Sequence, residues 1–115
     1  MSSRFNIRSC ADGLFFFELQ ASNGRVLVTS RAFRRKQAVL EALRGFQCAS
    51  NDSFIYLCSE QSSRGFSFYI TNGLGKKVAF SEPYSNRWAL KQGIEAAKSN
   101  AASARIIDLS DVSPL

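Results

Sequence analysis

The side chains that could do chemistry in these 115 residues are few and scattered. Histidine is absent, so neither a Ser-His-Asp nor a Cys-His nucleophile can be assembled within one chain. The commonest general base near neutral pH is missing with it. Cys10, Cys48 and Cys58 form no CxxC and lie far apart. Without histidine they make no recognisable zinc set, and they are expected to pack as small apolar residues. Glu18, Glu41, Glu60, Glu82 and Glu95 are spread along the chain, with no two spaced as an acid–base pair. Gly73-Leu74-Gly75 lacks the further glycines and the following helix of a nucleotide loop. What is concentrated is positive charge: Arg31, Arg34, Arg35 and Lys36, in a chain of net charge +6. Cations before and within the first turn of a helix oppose its dipole. An anion held by orphan N–H groups and guanidinium groups would reverse that cost, which makes these four the candidate anion-binding residues. The plainer alternative is four solvated side chains. No catalytic residue, metal ligand or cofactor is expected.

These residues sit on a chain of ordinary globular make-up, 45% hydrophobic, enough for a packed core and against disorder. Residues 1–9 are polar and residues 14–17 too short an apolar run for a signal peptide, and no stretch approaches a bilayer-spanning length. The expected home is the cytoplasm, without membrane contact.

Shifted by 51 residues, the chain overlays itself without a gap. Phe15, Phe17 and Leu19 fall on Phe66, Phe68 and Ile70; Gly24-Arg25 falls on Gly75-Lys76; Ser30 falls on Ser81, Phe33 on Tyr84, and Ala42-Leu43 on Gly93-Ile94. Such self-similarity implies an internal duplication. Each copy reads as strands followed by a helix. Phe15, Phe17 and Leu19 alternate onto one face of a strand over 14–20, and Asn23-Gly24 predicts a two-residue turn into a strand over 25–30. The second hairpin pairs 66–72 with 76–81, and Leu74 suits a longer or bulged loop better. Helices are predicted over 34–46, with Val39, Ala42, Leu43 and Phe46 inward, and over 85–99, capped by Ser85. Further strands are predicted over 4–9, 53–59 and 105–109. The strand near Phe54 to Cys58 is expected to close the first copy and open the second. The expected architecture is therefore α+β: two tandem β-β-β-α-β repeats, about 4–53 and 54–110, sharing a central strand within one domain. The expected sheet is antiparallel, with two helices on one face, pseudo-twofold symmetry and a tail over 111–115.

The run Phe15-x-Phe17-x-Leu19-x-x-x-Asn23-Gly24, then Ser30, an aromatic and an Ala-rich helix, resembles the YegP-like family. So does Ser81-Glu82-Pro83-Tyr84-Ser85 with Gly93-Ile94-Glu95 and Lys98-Ser99-Asn100-Ala101. The resemblance covers nearly the whole chain. It implies an α+β fold of β-β-β-α-β units and no assigned function, hence no residue role to carry over. Against that pattern the first copy departs twice: Arg31 stands where glutamate follows the serine, and Arg34 where a capping Ser or Thr is expected.

Helices cover one face of the sheet, yet Leu14 and Phe16 point to the other. Leu27 joins them if the first turn is tight, Tyr69 stands there in the second copy, and Val78 and Phe80 are further candidates. A solvated antiparallel face is mostly polar, so this one is the expected interface for a homodimer, a protein partner or stacked bases. Strong sheet curvature burying those residues is the alternative. The expected function is a non-enzymatic binding or protein-interaction module. The alternatives are polyanion or nucleic-acid binding through the basic cluster, and a small-molecule sensor or enzyme with a pocket on the pseudo-twofold axis.

Overall fold

The computed structural model describes residues 2–52, 55–61 and 65–110. Strands β1 (Arg4–Cys10), β2 (Leu14–Gln20) and β3 (Val26–Ser30) precede helix α1 (Lys36–Ala49). Strands β4 (Tyr56–Gln61), β5 (Gly65–Thr71) and β6 (Lys77–Phe80) precede helix α2 (Arg87–Ser103), and β7 (Arg105–Asp108) follows. The fold is α+β, with all seven strands in one sheet ordered β4-β5-β6-β3-β2-β1-β7. Ser53 and Phe54 of the expected shared strand, and the expected tail over 111–115, lie outside the described residues.

Two expectations about the sheet are corrected. It is mixed, not antiparallel: β7 runs parallel to β1, with Phe5 opposite Ile106 and Ile7 opposite Asp108. The cause is α2, which returns the chain to the start of β1, where Arg105 N donates to Ser3 O at 3.2 Å. Nor is the strand near Cys58 central. Among the described residues β4 ends the sheet and pairs with β5 alone, from Tyr56 opposite Ile70 to Cys58 opposite Phe68 and beyond. The centre is the β3–β6 seam, Thr29 opposite Phe80 and Ser30 opposite Ala79. β7, at the far end of the sequence, closes the first three strands.

The period-two pattern of β2 buries Phe17 and Leu19, and that of β5 buries Phe68 and Ile70. Val39, Leu43 and Phe46 of α1 and Leu90, Ala97 and Ala101 of α2 join them in one cluster. The helices are displaced from the expected ranges by two to four residues. Asn86, one residue after Ser85, caps α2 by accepting from Ala89 N at 2.8 Å. Its counterpart Arg35 gives α1 no side-chain cap, as expected one position earlier. Among the described residues no helix is long and apolar enough to cross a membrane. Cys10, Cys48 and Cys58 are all exposed, so they do not pack as expected.

Both hairpins turn in the same way, and neither through a two-residue loop. Gly24 N donates to Ala21 O and Ala21 N to Arg25 O, each at 2.9 Å; Gly75 N donates to Asn72 O at 3.0 Å and Asn72 N to Lys76 O at 2.9 Å. Only the glycine in each turn takes positive φ, +90° at Gly24 and +77° at Gly75. This is the three-residue loop with a left-handed glycine, which leaves Asn23 and Leu74 in ordinary conformations. The extra loop residue puts Val26 opposite Gln20, and the register then slips before Leu19 meets Val28. Leu27 is the bulged residue between them. It is 5% exposed and packs in the core, so it does not belong to the expected interface. Val78, bulged in the same way in β6, is buried too.

Tyr84 reaches from the end of β6 onto α2. A methyl group added at Gly93 would overlap its hydroxyl oxygen and ring carbons, whereas the corresponding positions of the first half hold Phe33 and Ala42. In an open helix Gly→Ala gains up to about 1 kcal/mol. Here overpacking, typically about 1–3 kcal/mol, outweighs it. We expect Gly93→Ala to lower stability in urea unfolding, and Tyr84→Phe in that background to recover part of the loss. A Gly93→Ala protein more stable than the parent would contradict this packing.

Candidate functional site

Two of the four basic residues have neighbours of their own. Lys36 Nζ lies 3.0 Å from Asp108 Oδ2 of the neighbouring β7, and 5.9 Å from the centre of the Phe15 ring. Asp108 also accepts from the Ser110 hydroxyl. That bond first, then Lys36, holds its carboxyl below the usual carboxylate range. Arg31 lies with its guanidinium carbon 5.1 Å above the Phe33 ring. Arg34 and Arg35 are exposed. Lys36 and Arg31 thus face different neighbours.

The sheet face away from the helices is divided. Register places one transverse row across all seven strands: Ile107, Asn6, Glu18, Thr29, Phe80, Tyr69 and Leu57. Over β1 and β2 the face carries a polar layer. Asn6 donates to Gln20 at 2.8 Å and to Glu18 at 3.2 Å, Arg4 donates to Gln20 at 2.9 Å, and Arg8 to Glu18 at 2.6 Å. This layer buries Asn6 completely. Leu14 and Phe16 stand at its margin, half-buried. Over β4, β5 and β6 that row is apolar, with Ser59 opposite Ser67 in the next: Leu57 is 41% and Phe80 43% exposed. Tyr69 lies between them, half-buried, with Lys77 Nζ 4.6 Å from its ring centre. Register thus joins Tyr69 to two residues that composition alone does not mark, and separates it from Leu14 and Phe16.

On the helix side, a groove of about 510 Å³ opens between α1 and the β5–β6 hairpin. Phe33, Phe46, Ile55, Ile70 and Val78 line it, with Arg31 and Lys76 as its cations and Glu41 and Asp52 as its carboxylates. Gln37 donates to Glu41 at 3.5 Å. The corresponding place between α2 and the β2–β3 hairpin is built differently. There Arg25 Nη2 lies 2.7 Å from Glu82 Oε1, and its guanidinium stands 5.7 Å above the Tyr84 ring. Burial holds the Tyr84 phenol above its usual pKa. A ligand pocket was expected on a pseudo-twofold axis; the groove lies between α1 and the β5–β6 hairpin. It joins α1 to strands of the other half. Lys76, Ile70 and Val78 were missed as site residues, although the 51-residue offset already sets Lys76 against Arg25 and Arg31 against Glu82. Among the described residues no three Cys, Asp or Glu could hold a metal ion.

With this geometry in view, the chain can be set beside known proteins. Residues 62–108 match a domain of unknown function, DUF1508. A UPF0339 protein of Bordetella pertussis is 30% identical over 92 residues, 78% of this chain and 81% of that one. Another, from Photorhabdus laumondii, is 29% identical over 91% of this chain and 92% of its own. The solution NMR structure of yegP from E. coli, a protein of unknown function, superposes with a TM-score of 0.90 at 22% identity, covering 96% of both chains. That likeness bears out the α+β fold, as the sequence resemblance implied.

The Asp108 geometry is open to direct titration. Its midpoint should lie below the usual value of about 4, and Ser110→Ala should raise it more than Lys36→Ala does. Because the folded value is the lower one, the link to Lys36 is complete above the unfolded pKa and is lost as pH falls through the folded midpoint. A normal midpoint by carboxyl-carbon NMR would remove this ion pair from the account.

Proposed function

The chain belongs to the UPF0339 family, whose members carry no assigned function, and on that premise we propose that it is a non-enzymatic protein-interaction module. Its partner contributes an extended segment to the free edge of β4, over the apolar row Leu57, Tyr69 and Phe80. The row is the observation that carries the reading. Exposed Leu57 and Phe80 flank half-buried Tyr69 there, on and beside a strand that among the described residues pairs on one side only. Unpaired backbone at such an edge recruits a further strand, and neighbouring pockets select its side chains. The fold already contains an example. β1, which leads the first half as β4 leads the second, takes β7 in parallel along its outer edge.

The same reading takes the chain as a tandem duplication folded into one domain over 1–115, with approximate twofold symmetry about the seam. Its support is the recurrence of local detail at an offset of 51. Phe17 N donates to Ser30 Oγ and Phe68 N to Ser81 Oγ, each at 2.9 Å. Phe15 bridges Phe33 as Phe66 bridges Tyr84. Three exposed free thiols suit a reducing cytoplasm. Polyanion binding is less favoured, because Lys36 and Arg31 face Asp108 and Phe33. A homodimer through β4 would use the same edge.

The test is affinity purification from native lysate, with and without nuclease, using three baits. The parent and Arg34→Glu/Arg35→Glu should retain a nuclease-resistant protein, and Leu57→Glu/Phe80→Ser should lose at least about tenfold of it at unchanged circular dichroism. Material released by nuclease, or lost with the arginine variant, would transfer the reading to nucleic acid. Retention of only a second tagged copy would make the partner the protein itself.

A further inference from the structure

We propose that the groove beneath α1 is a binding site for a small amphipathic monoanion, a carboxylate with an aliphatic or aromatic body. Its volume of about 510 Å³ lies within the range of small-molecule sites, and its floor is apolar, as such sites usually are. The matching place in the other half is closed by its own side chains. There the strand side is spanned by the Arg25–Glu82 ion pair at 2.7 Å. Tyr84, 8% exposed, fills the helix surface over Gly93.

In the groove the same backbone positions carry Lys76, Arg31, Phe33 and Ala42. The one carboxylate of the ion pair has become a guanidinium. Two cations therefore occupy the places of an ion pair, and neither forms a salt bridge among the described residues. The ring has lost its hydroxyl, so it reaches less far along the helix. Phe33 and Ala42 are only partly buried and Gly45 is exposed, whereas Tyr84 and Gly93 are buried. Phe33, Ala42 and Ile55 are thus left only partly covered beside two exposed cations, Lys76 and Arg31. A carboxylate placed there replaces Glu82, and its apolar body covers Phe33, Ala42 and Ile55. Arg31 can accept a carboxylate through two parallel N–H donors.

The other charges set the ligand's valence. Glu41 lies on α1, and Asp52 follows its C-terminal end. A dianion would meet them unfavourably, whereas a single carboxylate on the strand side does not.

The experiment is a two-dimensional NMR titration with decanoate, decanol and decyltrimethylammonium, each below its micellar concentration. Decanoate should shift the amides of Ala42, Gly45 and Val78 saturably, and bind at least about tenfold more tightly than decanol or the cation. Arg31→Glu rebuilds the closing pair with Lys76 and should abolish those shifts while the remaining spectrum stays native-like. Arg31→Leu should weaken decanoate and leave decanol unchanged, and Arg34→Glu should change neither. The site is refuted if decanoate shifts no groove amide, if decanol binds as tightly as decanoate, or if Arg31→Glu binds like the parent.

Discussion

Contact between aromatic rings holds this sheet in one piece. Phe5 meets Phe17 and Phe46 edge-on, each at 5.8 Å between ring centres; Phe46 meets Tyr56 at 6.3 Å, Tyr56 meets Phe68 at 5.9 Å, and Phe68 stacks on Tyr84 at 6.4 Å. The series runs from β1 to the end of β6 and crosses the midline through α1. Hydrogen bonding across that midline is brief, two residue pairs between β3 and β6 and the bond from Arg31 N to Val78 O at 2.8 Å, each bond contributing a net of about 0.5–1.5 kcal/mol. Burying one large apolar side chain contributes roughly 1.5–3 kcal/mol, and each ring pair adds about 0.5–1.5 kcal/mol. The shared core therefore outweighs the ladder in joining the halves. Phe46 is its hinge piece, because it touches rings of both halves. Tyr56 ties the other side by donating its hydroxyl to Ser50 O at 2.8 Å, just past the end of α1.

That dependence explains what could be read in the residues and what could not. The inward faces of β2 and β5 follow from Phe15, Phe17, Leu19 and their counterparts, because period-two alternation is local. So do the core faces of the helices, at Val39, Leu43, Phe46, Leu90 and Ala97. Leu27 escaped because its orientation depends on one loop residue. Asn23-Gly24 allows a two-residue or a three-residue turn, and the choice moves Leu27 from one face to the other. The position of β7 beside β1 escaped for a different reason. Its pairing spans about the whole chain, and no local pattern distinguishes a parallel edge strand from an antiparallel one. The resemblance to YegP-like proteins supplied the architecture in outline, and a mixed sheet lies within that outline.

The candidate surfaces arise where the two halves differ while the core between them is shared. On the open face, Asn6 and Glu18 stand at the positions that Leu57 and Tyr69 occupy in the other half. One side is accordingly covered by its own hydrogen-bonded layer and the other left apolar. On the helix face, Arg31 against Glu82 decides whether a junction closes on itself. The basic residues mattered, but singly: Lys36 secures β7 and Arg31 opens a groove. Charge counted along the sequence reads as one cluster. The fold gives two of its members separate neighbours, Asp108 for Lys36 and the Phe33 ring for Arg31.

The central claim is that both halves are stabilised by one core, so that neither opens alone. Native-state hydrogen exchange tests this at two matched positions, the amides of Phe17 and Phe68, each bonded to a serine hydroxyl. If the core is shared, both amides exchange only through global unfolding, with equal opening free energies that fall together as urea is added. A Phe17 amide that opens at markedly lower free energy than Phe68, or the reverse, would contradict it.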